Sequence, residues 1–306
     1  MTEDPWHTPL VDLQADGNLV NERMGKRHSV EIFTDAAVKY ITEQHSQPFL
    51  CYVPLNLPHD PRVAPTDYHA RWKDRQNHPP APENFLPEHP FDNGELRVRD
   101  ELLAPFPRTA QVVRQHLANY YAAIEFVDAQ VGRIVAAVEE QGLTDNTIIV
   151  FAGDHGLAIG SHGLFGKQNL YDQSMRTPLV FAGPGVPVNK RSDALCYLFD
   201  IFPTLGELAH VKAPTGSEGL SLVPVFTDQL PTRRNALYFE YRDVQRAVRD
   251  NRWKLIQYPK IDKQQLFDLQ TDPHEMHDLS TDPAHADQLA RMTKLLADER
   301  AAAVAR

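Results

Sequence analysis

The chain has 306 residues, of which 42% are hydrophobic and 24% charged, with 41 acidic against 31 basic side chains and a formal net charge of −10. That composition suits a globular protein large enough for one α/β domain, or for a domain with a small appendage. The acidic balance, with no basic stripe, argues against nucleic-acid and anionic-membrane partners, and no apolar run reaches the length of a membrane span.

The opening stretch "MTEDPWHTPLVDLQADG" has neither a basic nor an apolar segment of the signal-peptide kind. Neither a strand nor a capped helix is expected there, and localisation stays open. Thr34 is placed to cap a helix through "DAAVKYITEQH". The near-continuous apolar run Phe49 to Leu55 then predicts a strand buried on both faces. It ends in a proline-rich turn carrying His59 and Asp60.

Residues 78–107 hold many of the 24 prolines together with leucines and aromatics. This reads as a long ordered excursion over the surface, the kind of loop that shapes binding sites, with Arg97 and Arg99 placed to line a pocket mouth or to stand in solvent. Next comes the clearest helix. Val113, Leu117, Tyr120, Ile124, Val127, Val131, Ile134 and Val138 recur at steps of three and four, and Gly142 supplies the stop.

"IIVFAG" and "TPLVFAGPG" read as buried strands and "DIFPTLGELAH" as a helix. A helix feeding a β-branched strand predicts a mostly parallel sheet flanked by helices. After Thr227 the pattern changes to short alternating runs, which predict a small antiparallel sheet, and a last helix is expected near Pro283 to Ala303. The expected division is residues 1–229 and 230–306. Cys51 and Cys196, in apolar contexts, read as buried core residues rather than a disulfide framework.

The chemistry-bearing stretch is "TIIVFAGDHGLAIGSHGLFGKQNLY", Thr147 to Tyr171. In an open parallel sheet, loops at the carboxyl ends of strands carry the ligand-contacting residues. Asp154 and His155 follow one predicted strand and His59 follows another. A carboxylate beside an imidazole suits a divalent cation, and carboxylate oxygens favour hard ions such as Ca²⁺ or Mg²⁺. Lys167, after Gly166, offers a point charge to an anion. Each residue also has a plainer reading: Asp-His-Gly as a capped turn, "PHDP" as a rigid turn, Lys167 as a solvated lysine, His162 as a loop hydrogen-bonder, His210 as structural.

The segments "PFLCYVPLNLPHDPR", "DNTIIVFAGDHGLAIGSHGLFGKQNLYDQSMRTPLVFAGPGVP", "DALCYLFDIFPTLGELAHVKAP" and "RAVRDNRWKLIQYPKIDKQQLFDLQTDPHEMHDL" together resemble successive landmarks of the type I sulfatases, in the alkaline phosphatase superfamily. The resemblance implies a large central sheet between helices with a smaller C-terminal antiparallel subdomain. It implies metal ligation by Asp154 and His155. It makes Lys167 the contact to the sulfate and the leaving-group oxygen, and His59 a hydrogen-bond partner of the ester that helps protonate the leaving group. Such charges aimed at developing negative charge would stabilise sulfate-ester cleavage.

The pattern also departs from the family. The formylglycine nucleophile arises from Cys or Ser in C/S-x-P-x-R, and neither Cys51, Cys196 nor Ser46 stands in that motif. The early paired metal aspartates and the upstream Gly-Lys-x-His region are unmatched. "MGKRHSVE" has the letters but lies too close to His59 for the family order. The expectation is therefore a C-terminal portion of a sulfatase, with an unpaired apolar sheet edge. It would act on a sulfated small molecule or glycan, with a missing N-terminal half as a separate chain one way to complete it. The alternatives are a phosphoester or phosphonate hydrolase of the superfamily, or a non-catalytic anion-binding module.

Overall fold

The computed structural model describes residues 10–13, 19–22, 27–43, 45–73, 79–212, 214 and 216–304. The chain divides into two compact units, one of residues 1–81 and 111–147, the other of residues 82–110 and 148–306.

In the first unit, β1 (Leu10–Leu13) pairs antiparallel with β2 (Leu19–Glu22), where the opening stretch had suggested no strand. Helix α1 (Ser29–Thr42) begins five residues before the expected Thr34 cap. The cap is His28, whose Nδ1 accepts from the Val30 amide at 3.2 Å while Nε2 donates to the Val63 carbonyl at 2.8 Å. A neutral imidazole satisfies both bonds. Thr34 lies inside the helix instead and returns its hydroxyl to the Val30 carbonyl at 2.8 Å. Residues 24–26 of the Gly-Lys-x-His letters lie outside the described residues.

After the short helix α2 (Thr66–Lys73), α3 (Ala110–Glu140) supplies most of this unit's core. Val30 and Leu57 pack with Ala122, Ala123, Phe126 and Val127. The buried stripe thus runs through two alanines, while Ile124, assigned to the core by its apolarity, is exposed. Small residues let neighbouring backbone approach, which a hydrophobicity pattern does not register. Gly142 ends the helix in the left-handed region at φ 66°, as expected. The predicted strand at residues 49–55 does not form among the described residues. Leu50 and Tyr52 are 82% and 84% exposed. A buried strand needs hydrogen-bonded neighbours on both sides, and apolarity alone does not supply them.

In the second unit, β3 (Ile149–Ala152) pairs antiparallel with β4 (Leu179–Ala182), with α4 (Asp172–Met175) in the connection. Helices α5 (Ile201–Leu208) and α6 (Val223–Phe226) follow. Strands β5 (Leu237–Tyr241), β6 (Gln245–Arg249), β7 (Trp253–Tyr258) and β8 (Lys263–Asp268) form an antiparallel meander, and α7 (Ala286–Val304) ends the described chain. The antiparallel sheet and last helix are where sequence placed them. The strand pairs among the described residues are all antiparallel, and no parallel pair occurs among them. The β3–β4 pair is apolar at every position, yet Phe151 and Val180 remain 41% and 54% exposed.

The meander is covered on both faces. Val248, Leu255 and Leu266 face α7 through Met292 and Leu296. Their alternating neighbours Ala247, Ile256 and Phe267 pack against Ala158, Leu164, Leu170 and Tyr171 of the glycine-rich stretch. The loop singled out by its chemistry is therefore seated on a rigid sheet. Cys51 and Cys196 are free thiols and only half-buried, less deep than expected, and burial raises the pKa of each.

Candidate functional site

The stretch after β3 folds back on itself. Amides of Ala158, Ile159 and Gly160 donate to the carbonyls of Gly166, Phe165 and Leu164 at 3.0, 3.3 and 2.7 Å. Gly163 at the tip sits at φ 73°, and a Cβ there would overlap the backbone of Glu88 and His89. Gly163→Ala is therefore expected to cost about 2 kcal/mol or more of unfolding free energy in urea titrations. An unchanged midpoint would contradict this packing.

Asp154 and His155 stand together at the β3 end. The His155 amide donates to Asp154 Oδ1 at 2.9 Å, and the ring Nδ1 donates to the Gly156 carbonyl at 3.1 Å. That bond leaves the lone pair of a neutral ring on Nε2, which lies 3.2 Å from Asp154 Oδ2. Two acceptors this close require a proton on the ring or a cation facing both. The pair thus fits a cation as two of its ligands. Hard divalent cations take six to eight oxygens, and no cluster of three or more candidate ligands occurs among the described residues.

Lys167 follows in the same unit, its side chain 24% exposed and its ammonium 4.0 Å from Asp100 Oδ2. His59 belongs to the other unit. It is exposed, and its Nδ1 donates to the Asp60 carbonyl at 2.9 Å. The turn around it is stiffened by an ion pair of 3.1 Å between Arg62 and Asp60. The structure thus places Asp154, His155 and Lys167 along one loop of the second unit, and His59 at a turn of the first.

His162 is a loop hydrogen-bonder. Its amide donates to the Asn84 carbonyl at 2.8 Å, its carbonyl accepts from His89 Nδ1 at 2.8 Å, and its ring stacks on Tyr171 at 3.9 Å. Burial pushes His162 down to about 3 and His89 down to about 4. His210 lies just past α5 at φ 56°, an exposed turn position.

Several residues that hold this region escaped the sequence reading. Asp100 and Glu101 of the excursion, and Arg108 just after it, contact the loop directly, whereas Arg97 and Arg99 are exposed. Their only signal was charge inside an otherwise leucine- and aromatic-rich segment. Lys254 and Glu275 are buried against Asp172, and both fall inside the "WKLI" and "DPHE" landmarks, where nothing in the letters marks them as buried.

A family profile described as Sulfatase matches residues 1–211. The chain belongs to the sulfatase family. A second profile, described as N-sulphoglucosamine sulphohydrolase, C-terminal, matches residues 160–302. Among relatives of this sulfatase chain, an arylsulfatase of Clostridium perfringens is 28% identical over 83% of the chain and 54% of its own length. A choline-sulfatase of Rhizobium meliloti is 29% identical over 76% and 46% respectively. The chain thus spans about half the length of the curated relatives it matches.

Among solved structures, a phosphonate monoester hydrolase from Silicibacter pomeroyi aligns with TM-score 0.78 at 23% identity, covering 97% of this chain and 65% of that one. A protein in complex with its substrate D-glucosamine-2-N,6-O-disulfate aligns with TM-score 0.76 at 23% identity, covering 93% and 71%. These likenesses place the chain in the fold that sulfatases and phosphonate monoester hydrolases share, the alkaline phosphatase-like fold. No helix among the described residues is long and apolar enough to cross a membrane.

Proposed function

We propose that this chain carries the metal-and-sulfate part of a metal-dependent sulfate-ester hydrolase. The observation that supports it most is the sheet-seated loop presenting Asp154, His155 and Lys167 in sequence inside a sulfatase-matching segment. In this reading Asp154 and His155 are two ligands of a divalent cation, Ca²⁺ before Mg²⁺, which when bound would draw negative charge onto itself. Lys167 holds the sulfate and leaving-group oxygens by charge, and His59 hydrogen-bonds the ester and helps protonate the departing oxygen. Residues 1–229 form the incomplete catalytic core and residues 230–306 its C-terminal subdomain. The strands β3 and β4 stand within a larger, mostly parallel sheet, which accounts for their exposed apolar side chains.

The substrate is a sulfated small molecule or glycan. The formylglycine nucleophile comes from residues outside these 306, since no Cys or Ser here stands in C/S-x-P-x-R; a separate chain is one source. The pure 306-residue protein is expected to show no nitrophenyl sulfate turnover, yet to bind inorganic sulfate in calorimetric titration in a way that Lys167→Ala abolishes. Turnover by the chain alone, lost in Lys167→Ala, would overturn the assignment of the nucleophile. Preferential binding of phenylphosphonate over sulfate would favour the phosphonate-hydrolase reading.

A further inference from the structure

The residues around Lys167 are held by an arm from the proline-rich excursion. Glu101, only 3% exposed, accepts from the Phe165 amide at 3.0 and 2.9 Å on its two oxygens and from the Gly166 amide at 2.8 Å. Successive backbone amides of this kind form a concavity that ordinarily attracts an anion. Here the protein's own carboxylate fills it.

That carboxylate is itself fixed. The guanidinium of Arg108, 1% exposed, pairs with Glu101. Its other nitrogens reach the Gly163 and Ala104 carbonyls, each at 3.0 Å. The rings of Phe106 and Phe165 lie 4.0 and 4.9 Å from its centre. Arg108 therefore ties the tip of the glycine loop to the arm by a charge that cannot be titrated away.

The neighbouring acid acts one residue further along. Asp100 Oδ2 accepts from Gln168 Nε2 at 2.9 Å, and Gln168 Oε1 accepts from the Lys167 amide at 3.1 Å. The same Asp100 oxygen is 4.0 Å from the Lys167 ammonium. A Cβ on Gly166 would come within 2.8 Å of Asp100 Cβ, so the close approach requires glycine. Three successive amides, those of Phe165, Gly166 and Lys167, are thus all fastened by Asp100 and Glu101, directly or through Gln168.

We propose that Asp100 and Glu101 are the positioning residues for Lys167: Glu101 sets the backbone that presents the lysine, and Asp100 is the internal anion that sulfate must compete with. The proposal rests on the reading of Lys167 as a sulfate contact. The two acids then have opposite effects on anion binding. Removing the Asp100 charge relieves repulsion and competition, whereas removing the Glu101 charge takes the carboxylate from Arg108 and loosens the backbone that presents Lys167. A purely structural role would lower stability in both variants and leave the affinity of the folded protein unchanged.

The test uses the full chain and inorganic sulfate. By calorimetry, Asp100→Asn, which keeps an acceptor for Gln168, is expected to bind sulfate several-fold more tightly. Glu101→Gln is expected to bind it about tenfold more weakly, roughly the effect of one charge-assisted bond. Amide hydrogen exchange at Phe165 and Gly166 is expected to accelerate in Glu101→Gln while β7 amides keep their protection. If Lys167→Ala abolishes binding but both acid variants bind as the wild type, the positioning proposal fails and the sulfate reading stands. Unaccelerated exchange at Phe165 and Gly166 in Glu101→Gln also overturns it. If wild-type protein shows no Lys167-dependent sulfate binding, the sulfate reading fails and takes this proposal with it.

Discussion

Lys254→Ala is expected to lower the free energy of unfolding by about 3–5 kcal/mol, the cost of removing one partner from a buried charge group. Lys254 lies in β7 and is fully buried. Its ammonium donates to Asp172 Oδ1 at 2.8 Å and stands 2.7 Å from Glu275 Oε1. Arg249 donates to the other Asp172 oxygen at 2.8 Å, and the Asp172 amide donates to Glu275 Oε2 at 2.7 Å. Two cations and two carboxylates thus balance, and deleting Lys254 leaves two buried acids against one guanidinium.

Burial alone would raise Asp172, but Lys254 and Arg249 outweigh it and hold its carboxyl below the usual range, whereas burial raises Glu275. Asp172 opens α4, immediately after the glycine loop, so this group ties the loop's C-terminal end to the meander. Denaturant titration of Lys254→Ala reads the effect. Lys294→Ala, in an exposed pair with Asp298 on α7, is the control, expected within about 1 kcal/mol of wild type. A Lys254→Ala variant as stable as that control would refute the buried network.

Acid is expected to weaken the protein well above the usual carboxylate range. His89 and His162 lie in the second unit, 7% and 6% exposed, with values near 4 and near 3 against 6.5 when unfolded. Burial also lowers His28 in the first unit. The folded protein holds these rings neutral, so the unfolded chain takes up protons first as pH falls. The contribution is therefore complete above pH 6.5 and is lost as pH drops toward the folded values.

By linkage, His89 and His162 each forfeit roughly 2.5 kcal/mol by pH 4.5. Against a total stability of about 5–15 kcal/mol, that loss is large. Glu275, raised in the fold, works in the opposite direction but is one group against four, since burial lowers His69 as well. Urea midpoints measured from pH 7.5 to 4.5 should fall steadily below 6.5, and His162→Gln should flatten that slope even if it lowers stability overall. A pH-independent midpoint across this range would contradict neutral burial of the rings. The His162 ring stacks on Tyr171 and meets Asn84 Nδ2 at 3.1 Å, so its protonation would disturb the same loop that bears Lys167.

By itself the sequence carried the local features. Periodicity gave α3, Gly142 gave its end, alternation gave the β5–β8 meander, and the helix near residue 283 is α7. The glycine spacing and the Asp-His and Gly-Lys pairs pointed to one loop, because turn chemistry and ligand types are written in adjacent residues.

Tertiary structure decided what depends on distant partners. The cap of α1 is His28 because Val63 accepts its second nitrogen. The core of α3 runs through Ala122 and Ala123 because neighbouring segments come close there. The apolar run at residues 49–55 is not a strand among the described residues, because a ladder needs a neighbour that apolarity cannot specify. The proline-rich excursion contacts the glycine loop for the same reason. Glu101 and Arg108 lie more than fifty residues from the amides and carbonyl they hold, and no local pattern records which backbone groups a buried charge must satisfy.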